Sequence, residues 1–232
     1  MKKKYFITGT DTDVGKTLVT CALIQQFQEQ GLSVIATKPI AAGCELIDGQ
    51  LKNADALKII QSLNHSVPYE LINPVTLKSP IAPHIAADDE NKTLSVNTLQ
   101  SKCSNNQVEE DYLLIEGAGG WLVPLNAEET IADYVKAEGF GVILVVGMKL
   151  GCINHSLLTI ESIRAKGLNL VGWIANCVDN EMMVLDHNIQ SLIERIDAPL
   201  LAIIPFIDDD GDINEKKRIK QASTYVNIAP LI

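Results

Sequence analysis

Apolar runs rich in Val, Ile and Leu recur along the chain, and between them the apolar residues return with the helical period. The first pattern predicts strands buried on both faces; the second predicts helices packed over them. Strands are expected at 5–8, 34–38, 112–115, 142–146, 171–175 and 200–204, and helices at 16–29, 54–63, 131–138, 153–165 and 182–196. Their alternation predicts an α/β fold: a doubly wound, mostly parallel sheet with helices on both faces. In such sheets ligands bind beyond the carboxyl ends of the strands, so the residues just past each run are the ones to search for chemistry. One long stretch, from about His65 to Asn91, carries Pro68, Pro74, Pro80 and Pro83 without firm periodicity and reads as an irregular loop.

The first run breaks into Gly9-Thr-Asp-Thr-Asp-Val-Gly-Lys-Thr17. A tight turn between strand and helix aims successive backbone N–H groups inward, at the positive end of the helix dipole, where phosphate oxygens fit. Lys16 then reaches the outer phosphates of a nucleoside triphosphate, and the Thr17 hydroxyl supplies an oxygen to Mg²⁺. Five residues rather than four separate Gly9 from Gly15, so Thr10 holds the usual first-glycine position. Asp11 and Asp13 are unexpected beside a triphosphate, and point to a cation or a positively charged substrate facing the loop.

At 232 residues an α/β chain is normally one domain with one sizeable core. A net charge of −10 and a pI near 4.8 argue against nucleic acid or an anionic membrane as partner, and leave small molecules. Met1-Lys-Lys-Lys is followed by too short an apolar run for an export signal, and no stretch approaches the ~20 apolar residues of a membrane span. Five cysteines (Cys21, Cys44, Cys103, Cys152, Cys177) form no C-x-x-C pair and suit a reducing cytoplasm, and four of the five lie next to apolar or small residues, where a buried, inert thiol is expected.

Glu116 ends an apolar strand and opens Gly117-Ala-Gly-Gly-Trp121, which suits a carboxylate holding Mg²⁺ directly or through water. Lys38, held extended by Pro39, is either a charge aimed into the strand-end crevice or an ordinary surface lysine. Asp55, at a helix start, reads by itself as a cap. Lys149-Leu-Gly-Cys-Ile-Asn-His155 opens a helix whose first amides can receive an anion, with Asn154 capping as the alternative. His84 and His155 receive no role. The acidic run 208–212 is either a solvated turn or a ligand contact.

These segments, together with Lys38-Pro39, Asn53-Ala-Asp55, Pro83-His84, Val142 to Gly147, Gly172-Trp173 and Asn176, closely resemble the dethiobiotin synthetases of the biotin pathway over essentially the whole chain. The resemblance implies a P-loop NTPase fold and an ATP- and Mg²⁺-dependent cyclo-ligase acting on 7,8-diaminopelargonate and CO₂. It further implies a cytoplasmic homodimer with the diamine site across the interface. It makes Thr17, Asp55 and Glu116 the metal ligands and Lys16 and Lys38 the catalytic charges. It assigns ATP contacts to Asp13, Val14, Gly15, Lys16, Thr17, Leu18, Asp55, Glu116, Gly117, Ala118, Gly119, Asn176, Cys177, Ile204, Pro205, Phe206 and Asp212, with Asn176 reading the base. It assigns the substrate to Thr12, Asp13, Lys38 and Ala42, with Gly151, Cys152, Ile153 and Asn154 of the other subunit on its carboxylate.

Three positions depart from the family pattern: Asp13 and Asp212 stand where glutamate is common, and Ala42 where relatives place a serine. Two other classes compete. An amide-forming synthase of the cobyrinate type would need a glutamine-hydrolysing domain for which 232 residues leave no room. A partner-switched partition or metal-delivery ATPase would carry an early loop lysine, where this chain has Thr10, or a cysteine pair.

Overall fold

The computed structural model describes residues 2–103, 109–207 and 214–232. In chain order the elements are β1 (Lys3–Gly9), α1 (Lys16–Glu29), β2 (Val34–Thr37), β3 (Ile40–Ala41), β4 (Glu45–Ile47), β5 (Gln50–Lys52), α2 (Ala54–Ser62), α3 (Tyr69–Ile72), β6 (Val75–Thr76) and α4 (Pro83–Asp89). There follow α5 (Val96–Lys102), β7 (Tyr112–Glu116), α6 (Ile131–Glu138), β8 (Gly141–Met148), α7 (Cys152–Ala165), β9 (Leu170–Cys177), α8 (Leu185–Ile193), β10 (Leu200–Ile204), α9 (Glu215–Ser223) and a 3₁₀ turn at Ala229–Leu231.

Six strands form one parallel sheet in the order β10-β9-β8-β1-β7-β2. Strands such as Tyr112–Glu116 are buried at every position because helices cover both faces, which is why they read as unbroken apolar runs rather than alternating ones. The register brings Ile7 beside Glu116, Gly9 beside Val145, and Asn176 beside both Gly147 and Ile204, so all these strand ends open on one edge. Helix α1 buries Val19, Cys21, Ala22, Leu23, Ile24 and Phe27, nearly all round, because it lies between the sheet and its neighbours α2 and α9. A second apolar cluster, including Leu144, Trp173, Ile160 and Leu192, fills the space between β8 and β9 and helices α7 and α8.

All six expected strands are present, and α1 and α6 have the expected bounds. The segment expected as one irregular loop at 65–91 instead holds α3, β6 and α4, with Pro83 tolerated because it occupies the first turn of its helix. The last expected helix is shorter, Leu185–Ile193, because Val184 takes a left-handed conformation and interrupts the backbone before it. The strand expected to include Lys38 ends at Thr37. Asp212 and the rest of the acidic run lie outside the described residues. Among the described residues no helix is long and apolar enough to cross a membrane. All five cysteines are buried free thiols, and burial pushes Cys21 up to about 12 and Cys103 up to about 11.

Helix α6 carries a measurable stability element. Asp133 Oδ2 accepts from the Thr130 N–H at 2.9 Å and from its hydroxyl at 2.7 Å, while Oδ1 meets Lys166 Nζ at 2.6 Å. Burial opposes ionisation, but these three donors outweigh it and hold the carboxyl down at about 2. A depressed carboxyl stabilises the fold above its unfolded pKa, near 4, and that contribution is lost as pH falls from about 4 towards 2. Asp133→Ala should therefore cost about 1–2 kcal/mol at pH 7. In urea titrations the gap between the two proteins should close below pH 3; an equal gap at both pH values would refute the assignment.

Candidate active site

The phosphate loop leaves β1 and is stitched to β8, with the Thr10 N–H donating to Val145 O at 3.0 Å. Gly15, at φ 86°, turns the chain into α1, and no side chain caps the helix. The amides of Lys16, Thr17 and Leu18 therefore have no intrahelical acceptor and remain for a ligand. Glycine is required at 15 twice over, for the left-handed backbone and because an added methyl would collide with the Asn176 side-chain amide. Asn176, buried at the end of β9, donates from Nδ2 to Val14 O at 2.9 Å. It thereby fixes the loop from β9, two strands from β1, a role its sequence context did not announce. Val14 in turn packs so closely on Gly147 that a Cβ there would lie 2.7 Å from Val14 Cγ1.

Lys16 folds back along the loop, its Nζ donating to Asp11 O at 2.9 Å. Burial lowers this ammonium to about 8, with Glu116 opposing the shift and Lys38 adding to it. The Thr17 hydroxyl donates to Glu116 Oε1 at 2.8 Å, and Lys38 Nζ donates to the same oxygen at 2.6 Å. Lys38 also lies 3.2 Å from Asp55 Oδ2. With Lys38 5% and Glu116 1% exposed, the surface-lysine reading of Lys38 is excluded. Burial alone would lower the Lys38 pKa, but the two facing carboxylates outweigh it and hold the ammonium above its ordinary range. Asp55 is not the cap of α2. Asn53 Oδ1 accepts from the Asp55 and Ala56 N–H groups, which leaves the Asp55 carboxylate free to face Lys38. Burial raises the Asp55 pKa and Lys38 outweighs it, so the carboxyl is held below the usual range.

Glu116 Oε2 is buried without a hydrogen-bond partner. Such an orphaned oxygen costs of order 1–3 kcal/mol, which a cation or a cation-bound water removes. Thr17, Asp55 and Glu116 form a sparse, all-oxygen donor set, the kind that suits magnesium, which keeps several of its waters. Among the described residues no group of three or more His, Cys, Asp or Glu forms a closed metal cage.

These side chains open into a cavity of about 440 Å³. Thr12, Asp13, Gly15, Lys16, Thr17, Leu18, Lys38, Asp55, Glu116 and Gly119 line it, together with Asn176, Cys177, Pro205 and Phe206. Val14, Gly117, Ala118, Ile204 and Ala42 lie outside this lining, and the Gly117 N–H is already used in a bond to Ile7 O at 2.9 Å. Lys58, Val178, Ile207, Glu215 and Arg218 also line the cavity and were missed in the sequence. Lys58 had a signal, since it lies three residues after Asp55 on the same helix face. Glu215 and Arg218 had none, because α9 carries few apolar residues to mark it.

The two loop carboxylates differ. Asp11 is already committed, accepting from Thr12 N–H at 2.8 Å and pairing with Lys149 Nζ at 3.1 Å. Asp13, exposed with φ 57° and on the cavity wall, is the one open to a cationic ligand. At the start of α7, Gly151 is the N-cap at φ 96° with no side-chain bond, so Asn154 does not cap. The Cys152 N–H donates to Lys149 O at 3.0 Å, which leaves the amides of Ile153 and Asn154 for an anion. This turn lies outside the cavity of its own chain. His84 Nδ1 is buried without a hydrogen-bond partner.

Residues 3–212 match the family model AAA_26, described as an AAA domain. The chain is 47% identical over 231 residues to the ATP-dependent dethiobiotin synthetase BioD of Cellvibrio japonicus, covering 100% of this chain and 98% of that one. It is 44% identical over 233 residues to ATP-dependent dethiobiotin synthetase BioD 1 of Salmonella typhi, covering 100% and 99%. Among solved structures, the septum site-determining protein MinD of Pyrococcus horikoshii, complexed with Mg-ADP, superposes with a TM-score of 0.56 at 18% identity, covering 95% of this chain and 86% of that one. That likeness concerns the fold alone.

Proposed function

This chain belongs to the ATP-dependent dethiobiotin synthetases, and on that premise we propose how its own residues close a cyclic urea on 7,8-diaminopelargonate with CO₂ and ATP. One amine adds to CO₂ and loses a proton, giving a carbamate. A carbamate oxygen attacks the γ-phosphorus and ADP leaves, forming a carbamic-phosphoric anhydride. The second amine attacks the carbamoyl carbon and expels phosphate.

The observation that carries this assignment of roles is the buried contact of Lys38 with Glu116 and Asp55, beside Lys16 and Thr17 in one cavity. Phosphoryl transfer needs positioning and charge neutralisation more than covalent help. The amides of 16–18 and the Lys16 ammonium hold the γ-phosphate, and Lys38 neutralises the carbamate as it becomes a nucleophile. Asp13 and Thr12 orient the diamine from the loop, and Asn176, Cys177, Pro205 and Phe206 surround the base. Thr17, Asp55 and Glu116 would hold Mg²⁺, which when bound neutralises charge on the outer phosphates. The substrate carboxylate meets the Ile153 and Asn154 amides of a second subunit. Leu122, Leu150 and Leu158, exposed on and around α7, support a dimer through that face. Five buried free thiols support a reducing, cytoplasmic setting.

The test is to incubate the protein with Mg·ATP, bicarbonate and 7,8-diaminopelargonate, following phosphate release and the product mass. Diamine-dependent phosphate with the mass of the cyclic urea is the expected result; ATP binding without diamine-dependent turnover would overturn the substrate assignment. Glu116→Gln should raise the Mg²⁺ concentration for half-maximal rate roughly tenfold, since one charged ligand is lost. An unchanged magnesium titration would count against Glu116 as a ligand.

A further inference from the structure

Asp11 introduces a negative charge into a loop built to hold a polyanion, and the structure gives that charge a partner from a distant part of the chain. Its carboxylate Oδ2 lies 3.1 Å from Lys149 Nζ, in the turn that opens α7. The other carboxylate oxygen accepts from the Thr12 N–H at 2.8 Å, and the main-chain oxygen of Asp11 accepts from Lys16 Nζ at 2.9 Å. One residue therefore joins the loop lysine, the loop backbone and the α7 turn. The Thr12 N–H and Lys149 hold the Asp11 carboxyl below its usual range, with His155, one turn into α7, adding to the positive side. Among the described residues Lys149 is the only cation in an ion pair with either loop carboxylate, Asp11 or Asp13.

We propose that Lys149 is a positioning residue for nucleotide binding: it neutralises Asp11 and thereby keeps the loop charge compatible with a triphosphate. The proposal rests on the reading that the loop binds ATP. Lys149 lies outside the cavity and acts through Asp11. Because the main-chain oxygen of Lys149 accepts from the Cys152 N–H at the start of α7, the pair also ties the phosphate loop to the α7 end of the molecule. The pair is about half exposed, so its effect is modest and screened by salt.

The experiment measures ATP affinity directly, by calorimetry with Mg²⁺ and no diamine, for the wild type, Lys149→Met, Asp11→Asn and the double variant. Lys149→Met should weaken ATP binding roughly two- to fivefold at low salt, the scale of one partly exposed charge. The deficit should shrink at 0.5 M salt, and adding Asp11→Asn to Lys149→Met should restore the affinity. A purely structural role would leave the double variant as weak as Lys149→Met, and that result, or an unchanged affinity in Lys149→Met, overturns the proposal. Because no diamine is present, a wild type that binds ATP but makes no cyclic urea would sink the substrate assignment and leave this measurement standing. A wild type that binds no ATP would overturn both.

Discussion

Lys16→Ala should lower turnover about a thousandfold while leaving the fold intact. The ammonium is placed to follow charge onto the outer phosphate oxygens, and losing one preorganised donor at a developing charge removes about 10²–10³ in rate, more when a full cation is lost. Without nucleotide, Lys16 Nζ donates to a main-chain oxygen, Asp11 O, and burial disfavours its charge, lowering its pKa to about 8. The wild type therefore bears a cost for holding this cation where phosphate will come. Lys16→Ala should unfold in urea at the same or a slightly higher midpoint than wild type, and an inactive variant that is also less stable would indicate a structural residue.

The same shift gives a pH signature. Phosphate favours the charged lysine, so the bound pKa lies above the free value. Between about pH 8 and 10 the free protein has lost a proton that the complex retains. ATP binding should then take up a proton and weaken as pH rises above 8. Calorimetry in buffers of different ionisation enthalpy reads that proton, and it should vanish in Lys16→Ala.

The parts of the molecule legible in the sequence are those whose signal is local and long enough to show a period. The six sheet strands announce themselves as apolar runs because helices cover both their faces, and α1 and α6 have sharp ends, Gly15 before one and Gly139 after the other. Elements of two to seven residues, such as β3, β6, α3 and α4, are shorter than two helical turns or a clear alternation, so no period can form. The chemistry divides the same way. Lys16 and Thr17 stand in a contiguous motif, whereas the role of Asp55 depends on Asn53 taking the cap, and that of Lys38 on Glu116, 78 positions away. Lys149 and Asp11 meet across 138 positions, and nothing in either local sequence marks the pair.

Lys38→Met should impair stability and catalysis for separable reasons. The Lys38 ammonium meets two carboxylates, one of them on the almost fully buried Glu116. Removing one member of a buried ion pair costs about 3–5 kcal/mol because the remaining charge is left uncompensated. Removing both is far milder, so Lys38→Met/Glu116→Gln should recover most of the lost stability in urea titrations without Mg²⁺. Turnover should not recover, because the charge that neutralises the carbamate is still missing. Magnesium supplies a third discrimination: it should restabilise Lys38→Met through Thr17, Asp55 and Glu116, and do so less in the double variant, where one of those ligands is neutral. If the double variant is as unstable as Lys38→Met, the cost lies in lost packing of the Lys38 stem, and the charge cluster is not what holds this corner of the fold together. If it regains both stability and turnover, Lys38 serves to balance Glu116 alone and has no part in the chemistry.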